Sequence, residues 1–197
     1  MKKLFVILSL VAFNLNAQKS TPKCSSYTEN KKLGQVIFNT VNNYRKSLNE
    51  SPFIWSEYWY ESSLRWNNHL AKNAQWGHRN GPGWEWINGS ELIVAVTIPN
   101  LEIIDENMYQ YIADSCLQQW IHSPMHHAGI KAPIRTTKQT SCFQDLNGDG
   151  KLEPFSVQLC KYGAISVNIN RYSNFTIVQC VMHLGFGIDN SNFIQPL

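Results

Sequence analysis

Tyr162-Gly163-Ala164-Ile165-Ser166-Val167-Asn168-Ile169-Asn170, residues 162–170, changes the period of the chain. Ile165, Val167 and Ile169 alternate with Ser166, Asn168 and Asn170, which is the two-residue repeat of a half-buried strand. Arg171 to Asn174 reads as a turn. Phe175 to Phe186 then reads as a second strand, apolar in part on both sides, as a central strand is.

Upstream the period is helical. Leu33, Ile37, Val41, Tyr44 and Leu48 recur at steps of three or four and form one stripe of an amphipathic helix, closed by Ser51-Pro52. A second helical pattern follows Ser56, with Trp59, Trp66, Leu70 and Ala74 on one face and a stop near Gly77. Residues 77–90 hold five glycines or prolines and two tryptophans, so they read as a loop. Asp105 and Glu106 suit the first turn of a third helix, where acids favour the positive end of the helix dipole. The face of that helix is Tyr109, Ile112, Ala113, Cys116, Leu117 and Trp120, and Pro124 should interrupt it. Helices first and an antiparallel hairpin last predict a layered α+β fold. Residues 18–30 are polar and turn-forming, and are expected to be a flexible tether ahead of a single domain over 31–197.

The start of the chain reads as an export signal. Lys2 and Lys3 precede an apolar run from Leu4 to Phe13, and Leu15-Asn16-Ala17 offers a cleavage site; the run is too short to span a bilayer. No later stretch is apolar enough to cross a membrane, so the expected destination is secreted or extracytoplasmic. Removing residues 1–17 takes two lysines and no acids, lowering the formal charge from +3 to +1. A near-neutral chain carries no electrostatic footprint for nucleic acid or acidic lipid headgroups, so neither is an expected partner. The five cysteines, Cys24, Cys116, Cys142, Cys160 and Cys180, meet an oxidising compartment after export, where disulfides form. Cys142 and Cys160 flank a turn-rich segment and are the first expected bridge. Cys116, on the apolar side of a helical pattern, reads as a buried free thiol.

Three short segments place polar groups beside apolar structure. They are Gly77-His78-Arg79, Gly89-Ser90-Glu91-Leu92-Ile93 and Ser123-Pro124-Met125-His126-His127. Each alone has a plain explanation, since a lone histidine near a helix end is usually a cap and a lone glutamate is usually solvated. Their order and setting, however, resemble the CAP superfamily, or SCP domain, of cysteine-rich secretory proteins, antigen 5 and plant pathogenesis-related proteins. The matching pieces run in family order from Val41-Asn42-Asn43-Tyr44-Arg45, through Leu64, Leu70, Ala71 and Ala74, to His78. They continue with Glu91, with Trp120-Ile121-His122-Ser123-Pro124-Met125-His126, which is like a bacterial Trp-x-x-Ser-Pro-Gly-His, and with Tyr162 to Val167 and Leu184-Gly185-Phe186. The resemblance implies a three-layer α-β-α sandwich around a central, mostly antiparallel sheet. It also implies a cleft of two histidines and acidic residues, here His78, His126 and Glu91. Many animal members carry a second glutamate in Trp-x-x-Glu, where this chain has Ser123, and Leu92 stands in place of the asparagine that follows the first glutamate.

Two uses of the trio are open. Neutral imidazoles with a carboxylate suit zinc or another divalent ion, leaving positions for a small or lipid-like ligand or a peptide. Alternatively Glu91 accepts a proton from water while His78 or His126 orients it, giving a peptidase. No oxyanion-stabilising group is assignable, so binding is preferred to catalysis. Trp84 and Trp86, with Ser123 and His127, are expected to line the cleft. A separate signal lies at residues 145–156. Asp145, Asn147 and Asp149 take positions one, three and five of an EF-hand-like calcium loop, Gly150 the turn, Lys151 a carbonyl and Glu153 position nine. Position twelve is Ser156 and Pro154 opposes an exiting helix, so this would be a helix-free calcium loop inserted around 140–160, the alternative being a polar turn. It would support a third kind of function, calcium-dependent surface interaction.

Overall fold

The structure, a computed structural model, describes residues 24, 26–73, 75–79, 89–99, 104–132, 140–144, 153–157 and 162–185. In chain order its elements are β1 (Ser26–Glu29), α1 (Lys31–Ser47), β2 (Ile54–Trp55), α2 (Glu57–Asn73), β3 (Gly89–Pro99), α3 (Glu106–Ile121), α4 (Pro124–Lys131), β4 (Thr140–Gln144), β5 (Glu153–Val157), β6 (Tyr162–Arg171) and β7 (Phe175–Gly185). Strands run in the order β1-β6-β7-β3, all antiparallel, and β2 adds to β6 in parallel. β4 and β5 form a separate antiparallel pair.

The period-two alternation assigns each face of the main sheet, but β6, expected to be half-buried, is buried on both faces. Ser166, Asn168 and Asn170 are covered as Ile165, Val167 and Ile169 are, because α2 lies over the polar side, where Asn67 donates to Ser166 and Asn168 to Asn68. Ile165, Val167 and Ile169 of β6, Val178, Cys180 and Met182 of β7, and Leu92, Val94, Val96 and Ile98 of β3 share one buried cluster with Leu33, Ile37, Phe38 and Val41 of α1. Ile112, Ala113, Cys116, Leu117 and Trp120 of α3 and Ile130 of α4 complete it. On the opposite face α2 packs Trp66 and Leu70 on Ile93 and Val181, and Trp59 and Tyr60 beside Ala164. Helices therefore cover both sides of the sheet, giving the three-layer α+β sandwich. Burial of these apolar side chains, each contributing roughly 1.5–3 kcal/mol, drives the layering.

Local signals fix the helix ends. The Asn30 side chain accepts from Leu33 N–H at 2.9 Å, capping α1, and the Asp105 side chain caps α3 by accepting from Met108 N–H. Pro124, expected to stop a helix, starts one. It occupies the first turn of α4, where its missing N–H costs nothing. Gly34 lets α1 sit directly on β6, because a Cβ there would overlap the Ile165 carbonyl.

The tether expected over 18–30 is corrected over 26–30. Ser26–Glu29 pair with Asn168–Arg171, the Tyr60 hydroxyl donates to Glu29, and Asn30 N–H donates to Val167 O at 2.9 Å. Residues 89–99, beyond their first two not assigned to any element by period, form the long strand β3. No helix among the described residues is long and apolar enough to cross a membrane.

Candidate functional site

The site lies at the β3 edge of the sheet. Glu91 follows the parity of Ile93, so its side chain faces the α2 layer, and its Cα partner on β7 is His183. The Glu91 side chain is wholly buried, as is that of His183, whose Nε2 stands 2.8 Å from Glu91 Oε2. The other oxygen, Oε1, accepts from His78 Nδ1 at 2.9 Å and from the Arg79 backbone N–H at 3.0 Å. Both arrive from the turn after α2, where Gly77, at φ 150°, adopts a backbone angle that favours glycine. Trp66 Nε1 donates to Gly77 O at 3.2 Å and holds that turn against the helix.

Behind the carboxylate the network continues inward. His183 Nδ1 is 3.1 Å from Ser62 Oγ, and Arg79 NH1 donates to the same oxygen at 3.1 Å. Burial alone would raise the Glu91 pKa. The hydrogen bonds from His183 and His78, with the backbone donor, overcome it and hold the carboxyl at about 2. An ionised carboxylate only accepts, so His183 Nε2 and His78 Nδ1 carry the hydrogens. Burial pushes the His183 pKa down against the pull of Glu91, keeping the ring neutral, with Nδ1 accepting from Ser62. In neutral His78 the hydrogen on Nδ1 leaves the lone pair on Nε2, and this side chain is 46% exposed.

His126 arrives from the other layer. It lies in the first turn of α4, and its ring centroid is 6.0 Å from that of His78 at an interplanar angle of 55°. Burial, and secondarily the charge of His78, lower its pKa, favouring the neutral ring. His78, Glu91 and His126, far apart in sequence, thus lie together, with the carboxylate bonded to one imidazole and the second imidazole beside it.

Other expected residues fall elsewhere. His127 turns toward α1, its Nε2 2.8 Å from the Tyr44 hydroxyl, so it ties α4 to α1 instead of lining the cleft with His126. Ser123 precedes α4 without a side-chain cap bond, its carbonyl accepting from His127 N–H. Trp84 and Trp86, the Asp145, Asn147, Asp149 and Lys151 positions and Cys160 lie outside the described residues. Glu153 opens β5 opposite Gln144, and Cys142 stands in β4 opposite Phe155. Among the described residues the free cysteines are Cys24, Cys116 and Cys180. Sequence reasoning missed His183, Ser62 and Arg79. The signal for His183 was available, since a histidine inside an apolar central strand requires a buried partner.

The sequence model of the CAP, cysteine-rich secretory protein, family matches residues 38–140, just over half of the chain. This protein belongs to the CAP family. The match spans the segments that carry His78, Glu91 and His126. Among solved structures, an outer surface protein from Borrelia burgdorferi is similar at 12% identity, with a TM-score of 0.44, over 82% of this chain and 98% of that one. No curated protein sequence matches the chain.

A metal at this CAP site would find two imidazoles. Two histidines on one tetrahedral ion place their ring centroids about 5 Å apart, so the 6.0 Å observed needs only a small adjustment. Glu91 has both oxygens engaged. Among the described residues no group of three or more His, Cys, Asp or Glu side chains is arranged to hold a metal ion. Two imidazoles fall short of the four protein ligands of a structural zinc site and of the three of a catalytic one.

Proposed function

We propose that this CAP domain is an exported binding module that holds a divalent transition metal through His78 and His126 and offers the metal's open positions to a small ligand or peptide. The observation that carries this reading is the buried Glu91 carboxylate on His78 Nδ1, with the His126 ring beside the His78 ring. A carboxylate behind a ligating histidine fixes its tautomer and raises its basicity. Glu91 acts here as the orienting group, not as a third ligand. A bound ion would supply Lewis acidity and a coordination point for a donor atom. Glu91 orients the His78 imidazole, and burial favours the neutral ring of His126. Export is supported by the charged start and apolar run of residues 2–13.

A peptidase with Glu91 as general base is less well supported. The carboxylate is buried, takes three donors and titrates at about 2, so it is a weak base that water does not reach.

Zinc titration by calorimetry at neutral pH tests the proposal. Wild type should bind with a stoichiometry near one, and His78→Ala and His126→Ala should each abolish the heat. Glu91→Gln should weaken binding by about 10–100-fold. Zinc heat that survives both histidine substitutions, or no zinc heat from folded wild type, overturns it. Peptide cleavage by wild type that is lost in Glu91→Gln would favour the hydrolase instead.

A further inference from the structure

Cys116 and Cys180 lie deep in the apolar layer, away from the histidine site. Cys116 is on the inward face of α3 and Cys180 on β7 at the same parity as Val178 and Met182. Both are wholly buried, 64 residues apart in sequence, with Sγ atoms 3.6 Å apart. Their surroundings are Ile112, Ala113, Trp120 and the sheet residues of the main cluster. Cys24 instead lies just before β1, its thiol donating to Ser26 O at 3.1 Å.

We propose that Cys116 and Cys180 are a disulfide site that bolts α3 to the central strand β7 in the exported protein. A sulfur–sulfur bond of about 2.05 Å requires the two Sγ atoms, now in contact, to close by roughly 1.5 Å. The core offers no competing partner for either thiol among the described residues, and two sulfurs alone do not make a zinc site. The oxidant is a disulfide donor, either a protein dithiol catalyst or oxidised glutathione. One cysteine thiolate attacks a donor sulfur, forming a mixed disulfide and releasing one donor thiol. The second cysteine then attacks the protein sulfur of that mixed disulfide and releases the other donor thiol. Two electrons and two protons pass to the donor, and one donor S–S bond is exchanged for one in the protein. Burial keeps Cys180 a neutral thiol in the folded protein, so the exchange belongs to folding, before α3 closes over β7. An even pairing also becomes possible: with Cys116–Cys180 joined, and Cys142–Cys160 as the turn-flanking pair, Cys24 is the odd cysteine of the five.

The proposal rests on the export reading only for where the oxidant is met, and the test separates the two. The full chain is unfolded in urea with reductant, refolded with reduced and oxidised glutathione, and alkylated under denaturing, non-reducing conditions. Peptide mass spectrometry should find one linked species joining the Cys116 and Cys180 peptides, about 2 Da lighter than the two thiols together. Reduction should lower the Tm on the order of 10 °C. That shift should shrink in Cys180→Ala. If this variant does not fold, the wild-type peptide map decides alone. Alkylation of both Cys116 and Cys180 in the glutathione-refolded protein overturns the proposal, as does a map that pairs either one with Cys24, Cys142 or Cys160. A bridge present after refolding but missing from protein recovered from its own cells supports the pair and counts against export.

Discussion

Replacing Glu91 by glutamine removes the charge and leaves the shape. In the folded protein the carboxyl titrates at about 2, against an ordinary value of about 4.3, and 1.36 kcal/mol accompanies each tenfold change. At neutral pH the ionised group therefore contributes about 3 kcal/mol. The bonds give a similar figure. Three donors reach the carboxylate, and the glutamine amide has one accepting oxygen. Donors that keep it exchange a charge-assisted bond for a neutral one at about 1 kcal/mol each, and the donor left facing the NH2 loses its bond at about 1 kcal/mol or more. The sign follows from a depressed carboxyl pKa. The stabilisation is complete above the unfolded value and disappears as pH falls through the folded one, while the glutamine variant has nothing there to titrate. Glu91→Gln should thus be about 3 kcal/mol less stable than wild type at pH 7, with the gap narrowing below pH about 4.3 and nearly closed at about 2. Urea unfolding of both proteins between pH 7 and 3 measures it, and the thermal equivalent at pH 7 is a Tm drop of roughly 6–12 °C. A gap that stays constant over this range, or one under about 1 kcal/mol at pH 7, would refute the buried, triply bonded carboxylate.

Two further substitutions probe how the layers meet. Gly34→Ala drives a methyl group into the Ile165 backbone carbonyl, which cannot turn aside as a side chain can. The urea midpoint should fall by the equivalent of about 2–3 kcal/mol, and an unchanged midpoint would mean that α1 does not sit on β6 as described. Arg45 is fully buried, donates to Ser51 O at 2.7 Å, to Ala132 O at 2.9 Å and to Ile130 O, and lies 3.9 Å from the Phe53 ring centroid. Arg45→Met keeps the apolar stem but strands those carbonyls, and unfolding should show a loss of about 3–5 kcal/mol; a variant as stable as wild type would sink this account.

The elements legible in the sequence are those with a repeating apolar face, an alternation of apolar and polar residues or a clear cap. The α1 stripe, the α3 face and the β6–β7 hairpin all carry their period openly, as does the start of α2 after Ser56. β3 was hidden because both of its sides are covered over residues 91–94. Leu92, Val94, Val96 and Ile98 face one layer and Glu91 and Ile93 the other, so the segment reads as a continuous apolar run without alternation. β1 was hidden for the opposite reason: all four of its residues are exposed, and pairing with β6 and the Tyr60 bond to Glu29 hold it. At the site, motif order pointed to His78, Glu91 and His126. What it could not supply was the division of labour. That depends on the cross-strand register of Glu91 with His183 and on which nitrogen of His78 meets the carboxylate.

The register also explains why His78, Glu91 and His126 meet where they do. β3 ends the strand order among the described residues, and the α2 layer and the α4 layer bring His78 and His126 together beside it. His78 comes from the turn beyond α2, His126 from α4, and Glu91 from the strand between them. α4 is located by Ile130 in the main core, by Arg45 on its last carbonyls and by the Tyr44–His127 bond, all of which run to the α1 side. The spacing of the two imidazoles is therefore set by packing on both faces of the sheet at once, while the aim of His78 is set locally by Glu91. Loosening α4 should widen the pair without disturbing the His78–Glu91 bond, and neutralising Glu91 should disorient His78 without moving α4. The two kinds of damage are distinguishable because they act through different parts of the fold: under the proposed function the first would lower zinc affinity by spacing, the second by tautomer and orientation.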